Sequence, residues 1–356
     1  MKELINFLSI PQYAFTSLLI LFFIGIKKID FVGSKKFGKI LFWGTIIFFL
    51  WAMTDSVFFA TISWPDNIPI GILIAIVLWS TWFSIHKAVE NDARIAKGEP
   101  PIEGTPENRE KVWTWPNLVY TELFAIIACT IFLVVWAILF KAPLEEPANP
   151  TWAPNPAKAP WYFLGLQEML VYFDPWLAGV VLPGMIIVGL CAIPYIDINP
   201  LGNGYYTFKQ RKFAITTFLF GWLVLWIFLI IVGTFLRGPN WTFYGPFEFW
   251  DHHKVVAENN INLSEIFWIK LLNVGLPQNI FLREILGILG TIGYFASVPL
   301  ITKYWGKNYL KRMGNIRYYL MIGLMLVMMS LPIKMYLRWL INLKYIVFMP
   351  EFEFNI

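Results

Sequence analysis

Apolar residues fall into eight long runs separated by short polar stretches. They run roughly Phe7–Ile26, Ile40–Ile62, Ile68–Ile85, Leu118–Phe140, Leu177–Ile193, Phe213–Phe235, Ile285–Ile301 and Tyr318–Pro332. A run of about 20 apolar residues matches the hydrocarbon thickness of a bilayer when helical. Helices are the expected form, because each then satisfies its own backbone polar groups away from water. The third, fifth, seventh and eighth runs are short for a span and are expected to extend into their flanks. The pattern predicts an all-α, polytopic membrane protein with about eight transmembrane helices.

The polar stretches alternate in charge. One set of connections holds Lys27, Lys28, Lys35, Lys36 and Lys39, then Lys87, Arg94, Lys97, Arg109 and Lys111. It continues with Lys209, Arg211 and Lys212, then Lys303, Lys307, Lys311, Arg312 and Arg317, so it carries 18 of the 28 basic residues. Basic loops stay in the cytoplasm. Both termini and the loops 141–176 and 236–284 are therefore expected on the outer, electropositive side of a bacterial inner or equivalent energy-transducing membrane. Four blocks follow: three spans in 1–86, a charged cytoplasmic linker in 87–112, three spans in 113–236, and an outer loop with two spans in 237–356.

Composition narrows the class further. Hydrophobic residues make up 58% of the 356 and charged residues 14%, whereas soluble domains carry roughly 25% charged. A soluble fold is excluded on that ground. The net charge of +5 lies in the loop asymmetry and does not point to nucleic acid. Cys129 and Cys191 both fall in apolar runs, and no CxxC or CxxCH motif is present. Both read as small buried hydrophobes.

The connection after the fourth run, KAPLEEPANPTWAPNPAKAPWYFLGLQEML, holds six prolines from Pro143 to Pro160. So much proline cannot continue a helix and forces a rigid extended excursion. Trp161 and Tyr162 follow, then a stretch with helical propensity through Leu170. A proline-locked loop leading into a short interfacial helix can wall in an amphipathic ring ligand. An ordinary loop with interfacial aromatics explains the same residues equally well.

The motifs decide between these. Glu146–Pro150 (EPANP) followed after ten residues by Trp161–Phe163 (WYF) resembles the EPANP…PEWYF segment of subunit IV of cytochrome bf complexes and the matching part of mitochondrial-type cytochrome b. Trp115-Pro116-Asn117, Ile193-Pro194-Tyr195-Ile196-Asp197 and Phe213-Ala214-Ile215-Thr216-Thr217 are similar to family patterns in the same order. The resemblance covers Trp113 to Phe235, the C-terminal (subunit IV) half of a split cytochrome b, and has no comparable anchor in 1–86 or in the tail.

The resemblance implies a membrane subunit of a quinol:cytochrome c oxidoreductase of bc/bf type, not catalytic alone. It implies one wall of the outer quinol-oxidation site, at Pro160, Trp161, Tyr162, Phe163 and Leu164. It implies as partners a haem-bearing four-helix cytochrome b N-terminal-type subunit, a Rieske 2Fe-2S protein, a c-type cytochrome and lipid, in a dimeric complex. Where the family has Pro-Glu this chain has Ala159-Pro160, so the proton-accepting acid is absent from its usual place. Such variants resemble subunits that oxidise low-potential quinols, which implies menaquinol. A second proton acceptor is still required. Either a side chain or a chain of water can serve. Glu168, two helical turns after Trp161 and nearly on its face, is the side-chain candidate, with Gln167 beside it placed to hold a water. Glu168 reads equally well as a surface residue of a short amphipathic helix. Glu145 and Glu146 lie in the solvated loop and Asp174 lies farther on.

Other polar residues are less informative. His86 ends the third run, and His252 and His253 are adjacent in the outer loop. None lies inside a span, so a bis-histidine haem is expected on the partner. Asp55 falls inside the second run and reads either as a satisfied buried acid or as part of a proton path. Glu122, one turn into the fourth span, is a candidate for proton uptake on the cytoplasmic side. Lys334 and Arg338, four apart after Pro332, fit an interfacial helix with snorkelling side chains. The loop LRGPNWTFYGPFEFW caps the outer surface or docks a Rieske head or c-type cytochrome. A non-redox transporter-like subunit, or a quinol-binding subunit of a complex without a Rieske protein, would explain the spans but not the ordered loop motifs.

Overall fold

A computed structural model describes residues 1–108, 111–140, 147, 149–151, 153–199, 201, 204–257 and 259–356. Arg109 of the basic set and Pro143, Glu145 and Glu146 of the proline-rich loop lie outside the described residues. The helices that carry the architecture are α1 (Lys2–Leu8), α2 (Pro11–Lys27), α3 (Lys35–Ala52), α4 (Ser56–Ile62) and α5 (Asn67–Ala96). They continue with α6 (Thr114–Leu139), α7 (Trp161–Met169), α8 (Leu177–Ile196), α9 (Lys212–Leu236), α10 (Ile285–Met313) and α11 (Asn315–Ile341). Among the described residues six are long and apolar enough to cross a membrane, and two bent pairs, α1–α2 and α3–α4, raise the number to eight.

The bends correct the first two expected spans. The chain turns by 82° between α1 and α2. Ile10 is extended with ψ 130° and Pro11 opens α2, where a missing N–H is tolerated. Phe7 and Leu8 thus belong to a separate terminal helix. The second run breaks by 115° after α3. There Asp55 caps α4, accepting hydrogen bonds from the Val57 and Phe58 amides, and pairs with Lys2 at 2.7 Å. It sits at a break, not in mid-span, and its charge is satisfied within this chain.

The short runs extend as expected, with two surprises. Helix α5 continues to Ala96, well into the expected linker. Helix α11 runs through Pro332 to Ile341, since neighbouring groups in a membrane helix re-satisfy a backbone that proline interrupts. Lys334 does not snorkel. It is 1% exposed, lies 5.8 Å from the Phe173 ring and 5.9 Å from the Tyr345 ring, and its Nζ has no hydrogen-bond partner among the described residues.

The core forms where α2, α9, α11 and the segment after α7 meet. Phe15 of α2 is fully buried, with ring centroids 5.2 Å from Phe228 and 5.8 Å from both Tyr336 and Trp339. Thr16 and Tyr336 share a hydrogen bond at 2.8 Å. At the far end of α5, buried Asp92 accepts from the Thr207 hydroxyl and from the amides of Phe208 and Lys209. Asn91 donates to the Tyr206 carbonyl. The N-terminal helices are thereby tied to the later ones at both ends of the bundle. Both termini lie at the end of the bundle holding the long loops: Asn6 accepts from the Phe247 amide and Asn355 donates to Asp174. Helix α6, by contrast, buries none of its apolar window against the rest of the chain.

Candidate functional site

The wall expected from sequence begins at the proline-rich loop. Pro160 holds an extended backbone (ψ 148°) and leads directly into α7. The Gln167 amide ties the loop to the helix, donating to the Ala157 carbonyl at 2.8 Å and accepting from the Ala159 amide at 2.9 Å. Gln167 is therefore a clamp on the loop backbone, not a free group for holding a water. A helix of nine residues is marginal by itself, and this clamp with its buried face fixes it.

That buried face is Leu164, Gly165, Glu168 and Met169, the spacing of one side of a helix. It lies on α9, and two glycines allow the close approach. A Cβ on Gly233 would lie 2.9 Å from the Leu164 carbonyl oxygen, and one on Gly165 would lie 3.4 Å from Ile230 Cγ1. Leu164 is 3% exposed, so it backs the wall and does not line it. Pro160, Trp161, Tyr162 and Phe163 are exposed on the other side. Tyr162 is 49% exposed, with ring centroids 5.6 Å from Trp161 and 4.6 Å from Phe163. Its hydroxyl makes no hydrogen bond to a described residue.

Glu168 has a partner that the sequence did not reveal. The carboxylate is fully buried. Arg237 donates from Nε to Glu168 Oε2 at 2.9 Å and from Nη2 to Oε1 at 2.7 Å. Tyr172 donates a longer bond, 3.4 Å, to Oε1. Arg237 Nη1 also donates to the Trp241 carbonyl. This two-point pairing joins the wall helix to the end of α9. Nothing in sequence spacing could couple residues 69 apart; the available signal was an arginine directly after an apolar span.

Lys158 lies behind the same loop. Its Nζ donates to the Thr234 carbonyl at 2.7 Å and sits 4.9 Å from the Trp250 ring centroid. Burial pushes its pKa down to about 8, against the opposing pull of Glu168. Burial, then the negative charge of Glu168, pushes the Tyr172 hydroxyl well up. Between pH 8 and the ordinary lysine value of 10.5 the unfolded chain holds a proton at Lys158 that the folded chain has released. Stability should therefore rise with pH across that window. Thermal midpoints of the purified protein are expected to increase from pH 8 to 10 and to lose that increment in Lys158→Met. Identical slopes in the two proteins would refute this.

The other expected residues lie elsewhere. Glu122 is exposed near the start of α6, separated from the wall end by about 25 Å of helix. His86 Nδ1 lies 2.6 Å from the Gly33 carbonyl and its ring stacks on Trp82. His252 and His253 lie in a turn of the long loop after α9. These three positions do not provide two imidazoles facing each other across the bundle, so they do not fit a bis-histidine haem within this chain.

The fold and the wall together define a multi-pass helical membrane protein with an aromatic surface held rigidly at one end of the bundle. Residues 147–247, from the proline-rich loop through α9 into the loop that follows it, match the family model for cytochrome b(C-terminal)/b6/petD. The match is to a family of cytochrome b-type electron-transport subunits. No solved structure matches the chain.

Proposed function

We propose that this chain forms one wall of the outer quinol-oxidation site in a bc/bf-type quinol:cytochrome c oxidoreductase, with menaquinol as substrate. The observation that carries the reading is the exposed face of Trp161, Tyr162 and Phe163, presented by a helix clamped from behind within the family-matched segment. Quinol oxidation releases two electrons and two protons. The redox chemistry would be supplied by groups on partner subunits, a Rieske 2Fe-2S cluster and a haem b on a four-helix subunit, which would take the electrons toward a c-type cytochrome and, at the Rieske protein, the second proton. This chain binds the ring, orients it and takes a proton. Pro160 and the three aromatics supply shape and the Tyr162 hydroxyl a hydrogen bond. Glu168, the one carboxylate on the wall helix, lies on its buried face and not on that of Trp161. As the proposed proton acceptor it would therefore receive the proton through an intervening group and not from the ring directly. The complex is proposed to be dimeric, with Glu122 serving proton uptake at the opposite end.

Tyr162 tests the wall. In the purified complex Tyr162→Ala should slow quinol oxidation roughly tenfold, about one lost contact in the transition state, with haem b absorbance unchanged. Tyr162→Phe should retain the share due to the ring. Loss of assembled complex in proportion to activity would instead make the residue structural.

The same reading puts both termini and the wall on the outer face, on the basis of the Lys and Arg asymmetry. With Cys129 and Cys191 replaced by alanine, a cysteine at Pro100 should react with impermeant reagent only from the cytoplasmic side. One at His253 should react only from the outer side. Labelling of both from one face would overturn the topology.

A further inference from the structure

We propose that the cleft between α10 and α11 at the basic end of the bundle holds the phosphate of an anionic phospholipid. The cleft has a volume of about 400 Å³ and is lined by Pro299, Thr302, Lys303, Lys307 and Tyr319. Lys303 and Lys307 are one helical turn apart and project from the same side of α10. Neither forms a salt bridge with a described residue. The Thr302 hydroxyl is already engaged with the Val298 carbonyl and the Tyr318 hydroxyl. Tyr319, 51% exposed, brings a phenol to the opposite wall.

The charge around this cleft is one-sided. From Ile285 to Pro350 the sequence contains no Asp or Glu, yet it carries eight Lys and Arg. Lys311, Arg312 and Arg317 stand at the same end beyond the cleft. Topology alone explains basic residues at the end of a span, but it does not require two ammonium groups and a phenol to line one recess. An anionic headgroup supplies the counter-charge the recess lacks, and basic pockets between spans take such headgroups. The rim fits acyl chains: Leu300, Tyr304, Trp305 and Ile316 are all exposed beside it. A lipid is favoured over free phosphate because the recess opens among these apolar side chains.

The test uses the intact complex, purified in mild detergent and placed in nanodiscs of phosphatidylcholine with or without phosphatidylglycerol. Binding of phosphatidylglycerol is read by native mass spectrometry and by the shift in thermal midpoint. Lys303→Gln/Lys307→Gln should weaken binding roughly tenfold or more, since each basic group near an anionic headgroup contributes to attraction. Lys311→Gln/Arg312→Gln, with the same charge removed outside the cleft, should change it less than about twofold. Equal loss in both variants would show general surface charge and overturn the site. Inorganic phosphate that protects as well as the lipid would overturn the lipid assignment in favour of a soluble phosphate. If the first variant fails to assemble, photoreactive phosphatidylglycerol on the wild-type complex decides: adducts at 299–307 and 319 support the site, and adducts only elsewhere overturn it.

Discussion

Arg237→Gln is expected to destabilise the wall end of the bundle by about 3–5 kcal/mol, the usual consequence of stranding one member of a buried ion pair. Glu168 is fully buried, and Arg237 supplies both of its charge-assisted hydrogen bonds. Without the guanidinium the carboxylate has only the long bond from Tyr172. Glu168→Gln should lower the amount of assembled complex for the mirror reason, because it leaves the arginine charge behind the wall without its carboxylate. Each single variant thus mixes stability with chemistry. The double variant Glu168→Gln/Arg237→Gln separates them, because it removes both charges and leaves two neutral amides in their place. It should recover haem content and thermal midpoint. Turnover should stay low and its pH profile should change, because an amide takes no proton from quinol. A double variant with wild-type turnover from pH 5 to 9 would end the acceptor role and leave the pair as a strut.

Gly233→Ala should be the second most damaging change, although it adds one methyl group. The new Cβ would lie 2.9 Å from the Leu164 carbonyl oxygen. That atom belongs to the backbone of the wall helix and cannot rotate away, so α7 itself must move. Overpacking of this kind costs about 1–3 kcal/mol, and here the displacement is passed to Tyr162 and its neighbours. Quinol oxidation should fall by more than tenfold, about 1.4 kcal/mol in the barrier, with haem content retained. Gly165→Ala is the internal control. Its Cβ would meet a side-chain carbon of Ile230 at 3.4 Å, which can give way, so its effect should be small. Equal effects of the two would show that the approach of α7 to α9 does not set the geometry of the wall.

What the sequence revealed was set by distance along the chain. The apolar runs placed the spans, because span length is a local property. The proline excursion and WYF placed the start of α7 for the same reason. The bends at Pro11 and Asp55 were missed because an apolar run reads alike whether it is one helix or two. Asp55 looked costly inside a span, and the turn that makes it a helix cap is visible only once Lys2 is seen beside it. Lys334 was misplaced because Pro332 read as a stop. The Glu168–Arg237 pair and the clamp from Gln167 depend on how α7 lies on α9. The first joins residues 69 apart and the second folds a loop back on its own helix, and neither geometry has a sequence period.

Phe15 bears on whether the chain can be divided into parts. A cut at residue 112 would leave the family-matched segment whole on paper. In space it would withdraw a phenylalanine ring from among Phe228, Tyr336 and Trp339 and would take Asp92 from the three donors at 207–209. The N-terminal helices are not cargo on the rest of the bundle. They share one interior with the later helices, and a division of the chain at its charged linker is not a division of its packing.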